Sequence, residues 1–516
     1  MRSTIMAFVL SMLSAALLTP RVRDLALRMG AVDHALSSRK VHGNPTPRLG
    51  GLAIAAAFYA PLLGMLAFQS GVGALFLAHE HLAIGLILGG TAIVLLGLYD
   101  DLRGAGAQRK FAVQFAVAGL MYGLGFRIES LANPFGGPLH IGWFGLPLTL
   151  FWIVGIINAM NLIDGLDGLA GGVALVAVTA TLIISVQQGN PLMTLFCAAL
   201  GGAILGFLFY NFNPASIFMG DTGSMFLGFI LATTSIQSNQ KSSTAVAVLV
   251  PLTLLGVPIL DTLLAISRRA MRGRPLFRAD REHIHHRLLA IGLSHRQAVL
   301  VLYGCCVIFG VTALVLTVAN SVLTTLTLIL VAALSFLFLR RLGYMTLQSG
   351  AVLSDQRRRS RDLRALIRPF TDRLRNSGTS SEIWDAVHDL AGAIGACQVL
   401  LNLGTLTTSR ATTRGAPAPE ALSADLPNVA PEPRSEGDPI PSVNKHVFCA
   451  RFGLIGLGHD EGHLELTWND GRTELDRDTE ISIELFCDHV ASAYERVDSR
   501  LVKDSRKVTN VPSGRH

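Results

Sequence analysis

Charge is scarce in this sequence: Asp, Glu, Lys and Arg make up 15% of it, half of the residues are hydrophobic, and the mean hydropathy is +0.47. So low a charge density excludes an ordinary soluble enzyme. The six cysteines include no Cys-x-x-Cys pair. Three of them, Cys197, Cys305 and Cys306, sit in apolar runs where a small hydrophobe would serve as well, which argues against a disulfide framework or a zinc ribbon. A small-residue cleavage site is missing after the first apolar run, Thr4 to Leu18. Arg21, Arg23 and Arg28 follow it instead, so the run reads as a retained first helix rather than a signal peptide.

The charges that are present are unevenly placed. Residues 1–339 hold 32 of them, 20 basic and 12 acidic, whereas the last 177 residues hold 47, at 23 to 24. A membrane domain followed by a soluble one accounts for this. The basic excess belongs to the membrane part, which points to lipid headgroups or phosphates and away from nucleic acid. The domain boundaries read from the chain are 1–340 for the membrane part, 341–378 for a basic amphipathic connector, 379–500 for a soluble α/β domain with a Pro-rich loop at 411–445, and 501–516 for a tail.

A bilayer core of about 30 Å needs roughly 20 residues of helix. That ruler predicts an all-α polytopic protein with about eleven transmembrane helices, near 3–20, 49–69, 81–99, 111–127, 144–160, 171–187, 191–210, 223–237, 244–266, 298–319 and 321–339. With the N-terminus outside, the inside loops 21–48, 100–110 and 267–297 carry 6, 3 and 8 Lys or Arg, and the outside segments only Arg2, Arg127 and Lys241. This asymmetry places the C-terminal domain in the cytoplasm. The outside segment 128–143 reads as a short hairpin at the interface or as a plain linker.

Acids at a membrane edge are costly unless they are paired, solvated or bound to cations, and here they collect on the inside face. Asp100 and Asp101 end the third span; Asn158, Asn161, Asp164 and Asp167 follow the fifth in "NAMNLIDGLDGLAGG"; Asp221 precedes the eighth in "NPASIFMGDTGS"; His283, His285, His286 and Arg287 form "HIHHR". Adjacent carboxylates suit a hard cation that neutralises phosphate charge. Asp221 adds a ligand, beside glycines and helix-capping hydroxyls that suit an anion. Each cluster alone has a plainer reading: a solvated helix cap for the acid pair, small-residue packing for the Asn and Gly segment, a zinc site or solvated loop for the histidines. Arg268, Arg269, Arg272 and Arg274 read as topology determinants and anionic-lipid contacts. Four such clusters on one face favour a phosphate-ester site.

At these residues the chain resembles the polyprenyl-phosphate N-acetylhexosamine-1-phosphate transferases, over about residues 20–300. The resemblance rests on "KVHGNPTPRLGGLAI" (Lys40 to Ile54), the Asp100–Asp101 pair with Lys110 and Phe111, the two motifs above, "VPILDT" (Val257 to Thr262) and "DREHIHHRLL". It implies a Mg²⁺-dependent reaction, with Mn²⁺ as a substitute, between a UDP-N-acetylhexosamine and undecaprenyl phosphate; the histidine pattern is similar to the branch that uses UDP-N-acetylglucosamine. An acceptor oxygen attacks the β-phosphorus and UMP leaves, the first membrane step of an envelope polysaccharide at the inner membrane. Carried onto this chain, the resemblance implies Asp221 and Asn161 as metal ligands. It makes Asp100, Asp101, Asp164, Asp167, His283, His285 and His286 catalytic, and Lys40, His42, Lys110, Asn158, Asn161 and Arg287 substrate-binding. Asp261, within the ninth apolar run, reads equally as a member of that set or as a structural partner for one of its members, and it stays outside the catalytic set.

The tail begins with "DQRRRSRDLRALIRPFTDRLR", whose Leu363, Leu366, Ile367, Phe370 and Leu374 recur at helical spacing; it reads as a helix on anionic lipid or as a solvated linker. A helix capped by Ser380 or Ser381, then strands and a closing helix, are similar in pattern to a small GAF-like sensory domain. With no nucleophile, metal cluster or phosphate loop, it suits a regulatory role toward a protein or a small ligand; a second copy of the chain is a further allowed partner. Two rivals remain: a polytopic transporter, disfavoured because the acids gather at one face rather than at the midplane, and an inactive membrane scaffold, disfavoured by intact motifs.

Overall fold

The computed structural model describes residues 2–33, 46–67, 71–131, 139–239, 249–271, 283–344, 350–403, 407–411, 448–454, 462–470, 475 and 477–508. They form two compact units, 1–347 and 348–516.

The first unit is helical. Its helices are α1 (Arg2–Arg28), α2 (Gly50–Ala67), α3 (Gly71–Ala78), α4 (Glu80–Arg103), α5 (Ala107–Gly123), α6 (Gly145–Ile163), α7 (Leu169–Gln187), α8 (Pro191–Asn211), α9 (Gly220–Asn239), α10 (Leu249–Leu254), α11 (Gly256–Met271), α12 (Ile284–Ala290), α13 (His295–Val318) and α14 (Ser321–Arg341). Each predicted span overlaps helix among the described residues. Among the described residues, eight helices are long and apolar enough to cross a membrane, and the chain is a multi-pass membrane protein.

The remaining three segments depart from the ruler for physical reasons. Helix α5 has 17 residues. Helix α9 runs through the middle of the unit against α2, α4, α6 and α7, so its Thr233, Thr234, Ser235 and Ser238 are buried against protein instead of meeting lipid. The third segment is broken into α10 and α11. Pro258 has no N–H to offer the carbonyl four residues back, at Leu254, where α10 stops.

A sharper break separates α6 from α7. Gly168 has φ +78°, a left-handed conformation that a Cβ would oppose; its N–H donates to Asn211 Oδ1 and its carbonyl accepts from the Tyr303 hydroxyl at 2.6 Å. The segment Asp164 to Gly168 is thereby turned out of the helix axis. Elsewhere, β1 (Val32–Asp33) pairs with β2 (Thr46–Pro47), and β3 (Ser130–Leu131) pairs antiparallel with β4 (Leu139–His140), the strand pairing that a hairpin requires.

The second unit contains α15 (Gly350–Asn376), α16 (Ser380–Ala393), β5 (Gln398–Asn402), β6 (Thr407–Ala411), β7 (Phe448–Gly453), β8 (His463–Trp468) and α17 (Arg477–Val508). Its antiparallel sheet has the order β6-β5-β8-β7. Alternation in β8 sends Leu464, Leu466 and Trp468 into the core, where they meet Ile383, Val387 and Leu390 of α16 and Phe486 and Val490 of α17. Helix α15 contributes Ile367 and Leu374 to this core, with Phe370 packed against it, while Leu366 is 39% exposed. The cap of α16 is Thr379, not Ser380 or Ser381: its hydroxyl accepts from Glu382 N, while Glu382 accepts from Gly378 N. The Pro-rich stretch lies outside the described residues apart from its first residue.

Candidate active site

Helix α4 ends in the acid pair, and the two acids do different things. Asp101 is 8% exposed and caps α9: Oδ1 accepts from Asp221 N at 2.9 Å, and Oδ2 accepts from Thr222 N at 3.0 Å and the Thr222 hydroxyl at 2.6 Å. Asp100 accepts from Ala105 N and forms an ion pair with Lys110, which also reaches Asp221 Oδ2 at 2.5 Å. One lysine at the start of α5 thus joins the ends of α4 and α9.

The end of α6 supplies the next side. Asn161 donates to Ser224 Oγ at 2.9 Å. Asn158, one turn further in, donates to Gln114 Oε1 and to the Val154 carbonyl, so it braces α5 against α6. Asp167 Oδ2 accepts from Asn213 Nδ2 and Ala215 N, and its own N–H donates to His295 Nε2. It ties the broken segment to the loop before α9.

These groups surround a cavity of about 280 Å³ lined by Arg48, Asp101, Asn161, Asp164, Asp167, Asn211 and Asp221, with backbone from Gly165 and Gly220. Burial, followed by the charges of Asp221, Asp101 and Asp167, pushes Asp164 up to about 8. Arg48 was not singled out from the sequence, although it lies within the quoted "PRLGG" text. The signal was the motif itself, since a guanidinium forks onto phosphate oxygens.

The histidine segment reaches the cavity wall through His285, which packs on Gly165. His283 precedes α12, with Nδ1 2.8 Å from Asp261 Oδ2. His285 is 2% exposed, both ring nitrogens lack a partner among the described residues, and its ring lies over Gly165, where an added Cβ would be 2.5 Å from Nε2. Burial, then His286, pushes His285 down to about 4. Its neighbour His286 is 4.3 Å from it between ring centroids. Arg287 packs on the Tyr344 ring at 5.0 Å, and Arg268 packs on the same ring at 5.8 Å. Arg268 and Arg269 are each only 8% exposed, so they are more than solvated topology signals. Lys40 and His42 lie outside the described residues.

The donor set can be matched to a cation. Among the described residues no three His, Cys, Asp or Glu side chains stand close enough together to hold an ion by themselves. Magnesium does not ask for that: it takes one or two carboxylates and completes its octahedron with water and substrate phosphates. Asp221 beside the Asn161 amide, on a cavity wall with further carboxylates, fits this pattern.

The chain is similar in sequence to known proteins over this region. The model of glycosyl transferase family 4 matches residues 83–239, which include both acids of α4, the α6–α7 segment and Asp221. The chain is 40% identical over 313 residues to a probable undecaprenyl-phosphate N-acetylglucosaminyl 1-phosphate transferase of Bacillus subtilis, covering 60% of this chain and 84% of the relative. It is 37% identical over 321 residues to a decaprenyl-phosphate N-acetylglucosaminephosphotransferase of Mycobacterium tuberculosis, covering 55% and 75%. An undecaprenyl-phosphate alpha-N-acetylglucosaminyl 1-phosphate transferase of Escherichia coli is 27% identical over 282 residues, covering 54% and 74%. With its acids, amide and histidines gathered as described, the chain belongs to glycosyl transferase family 4, among the polyprenyl-phosphate N-acetylglucosamine-1-phosphate transferases.

Proposed function

We propose that this protein transfers N-acetylglucosamine-1-phosphate from UDP-N-acetylglucosamine to undecaprenyl phosphate. The reaction takes place on the cytoplasmic face of the inner membrane, in a bundle of eleven spans. The observation that carries this reading is the carboxylate-and-amide cavity at the ends of α4, α6 and α9, inside the family match. The acceptor phosphate is already ionised near neutral pH, so its oxygen attacks the β-phosphorus without a strong base. A new P–O bond forms there as the bond to the bridging oxygen breaks, and UMP leaves with that oxygen. Catalysis of such a displacement is mostly positioning and charge neutralisation.

In this reading Asp221 and Asn161 hold Mg²⁺, which when bound offsets the negative charge shared by donor and acceptor phosphates. Lys110 brings a cation beside Asp100, and Arg48 presents a guanidinium to the donor diphosphate. Asp164 and Asp167 support the metal and shape the nucleotide side of the cavity, and His283, His285, His286 and Arg287 hold the diphosphate or the sugar. The second unit is a GAF-like regulatory module.

The test is transfer of label from UDP-N-acetylglucosamine into the organic phase by purified protein supplied with undecaprenyl phosphate and Mg²⁺. Asp221→Asn should lower turnover by about a hundred- to a thousandfold, the size expected for loss of a main electrostatic stabiliser, and EDTA should abolish it. Full activity in the Asp221→Asn protein would sink the assignment.

A further inference from the structure

Helix α11 carries a single carboxylate, Asp261, in the run Val257 to Ile266, and it is 3% exposed. An ionised group buried in a membrane domain is costly unless it is paired, so its partners are informative. Both oxygens are used at the start of α12. Oδ2 lies 2.8 Å from His283 Nδ1, and Oδ1 accepts the Ile284 N–H at 2.8 Å. A carboxylate can only accept, so Nδ1 of His283 carries the hydrogen, and Nε2 is the nitrogen left for any other partner.

The pair sets more than one ring. His283 and His285 lie with ring planes 2° apart and centroids 5.7 Å apart. His285 in turn rests on Gly165, between Asp164 and Asp167 on the cavity wall. A continuous row therefore runs from Asp261 through His283 and His285 to the carboxylate segment. An apolar residue at 261 would pack in α11 at less cost, but it would leave the first amide of α12 and the orientation of His283 unspecified.

We propose that Asp261 is a positioning residue for the transfer reaction, holding His283 in one tautomer and the histidine row in register with the Asp164–Asp167 segment. This rests on the transferase reading above. The side chain acts through His283 and does not touch substrate.

The test uses full-length protein in lipid nanodiscs and compares wild type, Asp261→Asn, His283→Asn and the double variant. Asparagine keeps the size of the side chain but offers one oxygen in place of two. Asp261→Asn should keep the wild-type melting temperature within a few degrees and lower kcat by about ten- to a hundredfold, the range typical of a lost partner behind a functional histidine. KM for UDP-N-acetylglucosamine should change by less than about threefold. Because the effect passes through His283, the double variant should be no slower than His283→Asn alone, within about threefold. Wild-type kcat in Asp261→Asn, or losses that multiply in the double variant, would overturn the proposal. An Asp261→Asn protein that fails to fold would overturn it too, by making the residue a structural strut. A wild type with no transfer would remove the function reading itself, and the proposal with it.

Discussion

The two units of the chain place their polar groups in opposite ways. In the membrane unit the ion pairs of the candidate site are withdrawn from solvent: Asp261 and His283 are 3% and 5% exposed and Lys110 is half-buried between Asp100 and Asp221, whereas Arg23–Asp24, away from the site, is exposed. In the C-terminal unit the core is apolar, built around Trp468, Phe486 and Val490, and its ion pairs Arg373–Asp389 and Arg451–Glu465 lie in solvent. Buried charge is costly and survives where it performs a task, whereas surface pairs contribute little. The contrast locates the chemistry in the first unit and leaves the second to packing and surface.

The largest test of that contrast removes the centre of the second core. Trp468 is fully buried and donates its indole N–H to the Ile394 carbonyl. Trp468→Ala should destabilise the second unit by about 3–5 kcal/mol, seen as rapid proteolysis there, while turnover stays within about twofold of wild type. A parallel collapse of turnover would show that the units share the chemistry.

Next is a residue where the first unit has no slack. At Gly51 an added Cβ would lie 2.1 Å from Gly223 N and 2.4 Å from Gly223 Cα, both backbone atoms that cannot rotate away. Gly51→Ala should cost about 1–3 kcal/mol in thermal unfolding, and it should lower turnover because Gly223 is on the same turn as Asp221. Unchanged turnover at lowered stability would separate packing from catalysis here.

A smaller effect concerns pH. Burial raises Asp164 to about 8, so below that pH the cation-free protein favours the neutral acid, and a cation must displace a proton to use the carboxylate. The Mg²⁺ concentration for half-maximal turnover should therefore fall as pH rises, by up to about tenfold per unit, and level off above about pH 8. Titrations at about pH 6.5, 7.5 and 8.5 check this, and a flat response would remove Asp164 from the metal's surroundings. The smallest effect belongs to the solvated pair: Arg451→Ala should change the stability of the second unit by under about 1 kcal/mol, with no change in turnover.

Some of this is legible in the amino-acid chain alone. Hydropathy and basic asymmetry locate the spans, because a lipid core demands long apolar helices whatever the fold. Helix α9 escapes the ruler in part because a helix wrapped by other helices is free of that demand. The motifs identify the acids and histidines but cannot divide their labour. Asp101 and Asp221 are 120 positions apart, Lys110 and Asp221 are 111 apart, and Asp261 and His283 are 22 apart. No local pattern links such pairs.

What the sequence determined by itself is the membrane class, the helical segments and the residue types of a phosphate-handling site, since these follow from local composition and short motifs. Only the tertiary structure decided that Asp101 caps a helix, that Asn158 braces α5 against α6, that Arg48 faces the acids and that Asp261 holds His283. The reason is that a polar side chain's role in a buried site is set by its hydrogen-bond partners, and folding brings those partners from distant parts of the chain.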